Sequence, residues 1–132
     1  MDHYLKLSMS PAPGEILLQY CGDKFDIKLS INASVKGRAF VRTNLNQSAK
    51  IADWLISAVE EGTETLNEAW VDLPMIQIDE STFSLTCTAL EVGHFEFKTY
   101  FVPEQNGEIV WPDGHNVTLK VEPSDYRSHN SI

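Results

Sequence analysis

The chain has 132 residues, 42% of them hydrophobic, and a formal net charge of −9. That length gives one domain able to bury a real core without disulfide or metal staples. The acidic balance repels phosphate backbones and anionic bilayers, which argues against nucleic acid and membrane partners, and it leaves a neutral ligand such as a polysaccharide unpenalised.

Residues 1–14 end in Ser10-Pro11-Ala12-Pro13-Gly14. Two prolines and a glycine in five residues predict a flexible lead-in. Short strand-like runs follow, beginning with Glu15–Tyr20. Gly22-Asp23 reads as a tight turn. Phe25–Ile31 then sets Phe25, Ile27, Leu29 and Ile31 on one face against Asp26, Lys28 and Ser30, the two-residue period of a half-buried strand. In Arg38–Leu45 the residues in phase are Ala39, Val41, Thr43 and Leu45. Ser48–Glu60 breaks the alternation: Ile51, Trp54, Leu55, Ala58 and Val59 recur at helical spacing, Ser48 can cap the start, and Gly62 can stop it. This predicts one inserted amphipathic helix with Trp54 on its apolar face.

Extended chain resumes over 68–78, with Pro74 marking an edge or bend. Thr82–Leu90 and His94–Val102 alternate, the second with Phe95, Phe97, Thr99 and Phe101 opposite Glu96, Lys98 and Tyr100. Glu108–Trp111 and Asn116–Val121 complete the series, and Gly93, Gly107 and Pro112-Asp113-Gly114 supply turns. Seven or eight short strands with turns every eight to twelve residues predict an all-β, immunoglobulin-like antiparallel sandwich over 15–123, with a partly open barrel as its nearest competitor. The polar stretch 124–132 reads as a linker or tail.

Catalytic motifs are not found. His3, His94, His115 and His129 are scattered, with no HxxH or HExxH unit, and neither Cys21 nor Cys87 belongs to a CxxC. Cys87, in an alternating apolar run, reads as a buried free thiol. A GxSxG elbow and a glycine-rich phosphate loop are both lacking. Glu60-Glu61 and Asp79-Glu80 sit at element ends, as solvated carboxylates do. No cofactor or metal is assigned.

What remains is aromatic surface. Flat rings stack on the apolar face of a pyranose, and Trp70, Tyr100 and Trp111 are the candidates. Tyr100 alternates with inward phenylalanines, so it is expected to face outward beside Glu96 and Lys98. Trp70 is out of phase with Val71 and Leu73. The same three side chains could instead pack against a neighbouring domain.

The segment Phe25–Leu45, FDIKLSINASVKGRAFVRTNL, resembles the opening sandwich of glycogen debranching enzymes, a strand leading through a loop and a Gly-Arg-Ala step into a run ending in Arg-Thr-Asn. Trp70, Pro74, Asp79-Glu80, Phe83–Leu90 and Gly93-His-Phe-Glu-Phe-Lys-Thr-Tyr-Phe101 follow in the same order. Ile109-Val-Trp-Pro-Asp-Gly114 with Asn116–Pro123 is similar to the exit strands that lead to an α-amylase-type catalytic barrel. The resemblance covers 15–123. It implies a non-catalytic N-terminal accessory domain that docks on the (β/α)8 barrel of the same polypeptide and helps to position α-glucan; the opening MDHYLKLSMS, without a charged region followed by a long apolar run, predicts a cytoplasmic setting. The carboxylates of such a barrel have no counterpart in this chain, so no catalytic residue is carried over. The alternative is a free-standing sandwich that mediates protein interactions. With so few surface aromatics, glucan affinity of the isolated domain is expected to be weak or undetectable.

Overall fold

The computed structural model describes residues 5–45 and 70–124. The helix expected over Ser48–Glu60, with Trp54, lies outside the described residues. Within them the fold is all-β, with nine strands: β1 (Leu7–Ser10), β2 (Ile16–Tyr20), β3 (Lys24–Ile31), β4 (Gly37–Thr43), β5 (Val71–Pro74), β6 (Ile76–Asp79), β7 (Thr82–Thr88), β8 (Gly93–Pro103) and β9 (Val117–Glu122). They form two sheets, one in the order β1-β3-β7-β6 and the other β2-β9-β8-β4-β5.

The alternation counted in the sequence becomes the core between these sheets. Ile27 and Leu29 of β3 are fully buried, as are Val41 of β4, Phe97, Thr99 and Phe101 of β8, and Val117, Leu119 and Val121 of β9. Rings meet across the interface: Phe25 lies 6.1 Å from Phe97 and Phe83 lies 5.8 Å from Phe101. The rings are tilted by 30° and 52°, and aromatic pairs at such distances add about 1 kcal/mol each to the burial itself. Thr43 is the polar exception in β4. Its hydroxyl donates to the Glu96 carbonyl at 2.8 Å and accepts the Leu45 N–H at 3.1 Å, so its burial carries no orphaned group.

Three expectations change. The lead-in contains a strand: Leu7–Ser10 pairs antiparallel with β3, burying Met9. Pro11 and Pro13 lack N–H donors, so the ladder stops there and the chain crosses to the second sheet as β2. The pairing is not antiparallel throughout, because β2 runs parallel to β9, from Ile16↔Thr118 to Tyr20↔Glu122. Third, Glu108–Trp111 makes no strand. It contributes one antiparallel bridge, in which Val110 and Phe101 exchange N–H···O bonds of 2.8 and 2.9 Å. Between Gly107 and Pro112 the segment is too short to extend the ladder.

The Gly22 turn forms as expected, with the Asp23 N–H donating to the Tyr20 carbonyl at 2.8 Å. Pro74 ends β5, an edge strand, where a missing donor costs no ladder bond.

Candidate functional site

The outer face of the five-stranded sheet gathers the three candidate aromatics. Register decides which side chains share it. Arg42 pairs with Lys98 and with Asp72, and Phe40 pairs with Tyr100. These residues alternate with the buried Ala39, Val41, Thr99 and Phe101, so they face away from the core.

Tyr100 does point outward, as its phase requires, yet only 8% of it is exposed. Phe40 stacks on it at 5.2 Å and Trp111 leans over it at 4.8 Å, with planes 48° apart. Tyr100 is therefore the floor of the site, and a sugar cannot lie flat on its ring. The Val110–Phe101 bridge explains the cover: it pins the 104–116 loop to the stretch of β8 that runs past the end of β9 and delivers the next residue, Trp111, across the outer face. Burial raises the Tyr100 hydroxyl above the usual phenol value, and the neighbouring Asp72 carboxylate, which accepts its hydrogen bond, raises it further.

Trp70 and Trp111, with Arg42, Lys98 and Asn116, line an open trough of about 310 Å³. Trp111 is 40% exposed and Trp70 is half-buried. Both cations in the trough are held in place, Arg42 by a carboxylate and Lys98 by a carbonyl and a ring face. Arg42 pairs with Asp72 at 3.3 Å. Lys98 donates to the Gly114 carbonyl while its ammonium lies 5.9 Å from the centre of the Trp111 ring. Gly114 holds φ at +111°, and a side chain there would press on Pro13. The backbone can thus turn its carbonyl toward Lys98 only with glycine at this position. Asn116 donates to Glu96 at 2.8 Å, which leaves its amide oxygen to accept from a ligand. Planar polar groups beside indole faces are what a ring with hydroxyls on its rim and C–H groups on its faces requires.

A second depression, of about 430 Å³, runs along the free edge of β1, where Leu7, Met9, Pro13, Trp111, Pro112 and Asp113 contribute to its walls. Trp111 borders both depressions.

Of the three aromatics predicted, the structure thus makes Trp70 and Trp111 walls and Tyr100 a floor. Lys98 is expected beside Tyr100 and lies there, whereas Arg42, Asp72 and Asn116 were not singled out from the sequence. The signal was phase: Lys98 shares the outward phase of Tyr100 on β8, Asp72 on β5 that of Trp70, and Arg42 is opposite both Lys98 and Asp72 in register. His94 and His115 are both exposed. Cys21 and Cys87 are free thiols, Cys87 buried. Among the described residues, no group of three or more His, Cys, Asp or Glu could hold a metal ion, and no helix is long and apolar enough to cross a membrane. Comparison with protein-family models gives no match, and no curated protein matches the chain.

Proposed function

We propose that this chain is the non-catalytic N-terminal accessory domain of a cytoplasmic glycogen-debranching or related α-glucan-processing enzyme, and that the outer face of its five-stranded sheet meets the glucan. The carrying observation is the trough in which Trp70 and Trp111 stand above the Tyr100–Phe40 stack. Support also comes from the order of segments over 15–123 that resembles these enzymes. The finer fold assignment, an immunoglobulin-like sandwich, is favoured by the strand order and by the N-terminal segment being divided between the two sheets.

In this reading the reaction belongs to a separate (β/α)8 barrel, and the sandwich docks on it. Ile16 and Leu18 on β2, 71% and 48% exposed, offer apolar surface for such docking. They equally favour the second reading, a free-standing interaction module.

Electrophoresis of the 132-residue chain through native gels with and without glycogen tests the proposal. Wild type is expected to be retarded weakly, with affinity on the order of millimolar. Trp111→Ala and Trp70→Ala are expected to run unretarded with unchanged circular dichroism. A wild-type chain that glycogen does not slow would overturn the glucan contact of this face, and variants slowed as much as wild type would overturn the assignment of that contact to Trp70 and Trp111.

A further inference from the structure

Trp111 stands between the trough above Tyr100 and the groove along β1, and both are open to solvent. A pocket for one sugar, or for a chain end, is closed on one side, so that the terminal ring has nowhere to continue. Here the trough has a volume of about 310 Å³ and the groove beyond Trp111 about 430 Å³. The first alone is near the small end of ligand sites, roughly 300 Å³, and the two together exceed what a single ring can fill. The charges argue for a neutral occupant. Arg42 is held by Asp72, Lys98 by the Gly114 carbonyl, and the whole chain carries −9. An anion would meet in the trough one cation beyond the Arg42–Asp72 pair, Lys98, already held by the Gly114 carbonyl and the Trp111 face, and a repulsive field from the chain around it. Hydroxyls, by contrast, find donors and acceptors on both sides of the indole: Arg42 and Asn116 in the trough, and Lys6 and Asp113, opposite in charge, in the groove.

We propose that the trough and the β1-edge groove form one path over Trp111 that takes an internal stretch of a neutral glucan chain, with neither end of the chain recognised. This rests on the glucan reading above and adds how the chain is held.

Calorimetric titration of the full 132-residue chain with glucose, maltose, maltotriose, maltotetraose and maltohexaose tests it, together with maltohexaose whose terminal ring has been reduced. The association constant is expected to rise by about tenfold from maltose to maltohexaose, and to change less than about twofold when the end is reduced. Ser8→Tyr, an exposed position that borders only the groove, is expected to flatten the length dependence and leave maltose binding unchanged. Binding of α-glucan that is equally tight for maltose and maltohexaose, or that is lost on end reduction, overturns the path while the glucan reading survives. The same holds if Ser8→Tyr weakens every length alike. Absence of binding at any length overturns both.

Discussion

Gly37 opens β4 at the point where that strand runs beside β8, and an alanine there has nowhere to go. Its Cβ would lie 2.5 Å from Cζ of Phe101 and closer still to the carbonyl oxygen of Val102. Ordinary carbon contacts are about 3.5–4.0 Å, so roughly an ångström of separation between β4 and β8 must be found. The ring could yield, but the carbonyl belongs to the ladder. Overpacking of this kind costs about 1–3 kcal/mol, which for a domain of this size lowers Tm by roughly 3–15 °C. Gly107 is the matched control. Its φ is +70° and no atom lies within 4 Å of a built Cβ. Gly107→Ala should cost about 1–2 kcal/mol through backbone conformation alone. Urea and thermal unfolding followed by circular dichroism give both values. Phe101→Leu then separates the two mechanisms in a double-mutant cycle. It should relieve part of the Gly37→Ala penalty, because the ring contact is removed and the carbonyl contact is not, and it should be additive with Gly107→Ala. A Gly37→Ala loss below about 0.5 kcal/mol, or full additivity with Phe101→Leu, would refute the steric account.

Thr43→Val removes two hydrogen bonds at a side chain only 2% exposed and is expected to cost about 1–3 kcal/mol in urea unfolding, whereas Thr118→Val, half-buried on the outer face of β9, should lie within about 0.5 kcal/mol of wild type. Burial, reinforced by the Asp26 carboxylate, raises the Cys87 thiol to about 11. Iodoacetamide at pH 8 should therefore label Cys21 in the native chain and reach Cys87 only on unfolding, and equal labelling of both in the native chain would contradict the burial. The folded pKa lies above the unfolded one, so this contribution to stability is intact below pH 9 and is lost as pH rises toward 11. It amounts to about 1–2 kcal/mol after solvent screening, and it should disappear from the pH dependence of Cys87→Val.

Much of the sandwich was legible because period-two alternation and burial are the same fact seen twice. Phe25, Ile27, Leu29 and Ile31 share a phase in the sequence and a core in the structure. β1 escaped notice because its four residues carry one buried side chain, Met9, and the prolines after it read as a loop signal. The parallel pairing of β2 with β9 was equally hidden: the side-chain pattern of a strand does not record the direction of its neighbour. At the site, the outward phase of Tyr100 was readable, but its cover was not. That cover comes from Trp111, eleven residues on, swung into place by a single bridge that leaves almost no sequence signature.

The parallel pair also fixes how the domain bears load. β2 and β9 point the same way, with Ile16 beside Thr118 and Tyr20 beside Glu122. A pull applied to the two ends of the chain, once the four residues of β1 have been peeled from β3, draws the start of β2 one way and the end of β9 the other. The hydrogen bonds between them are then strained together in shear and cannot open one at a time. As a link between two larger bodies the domain would stretch little, then yield abruptly.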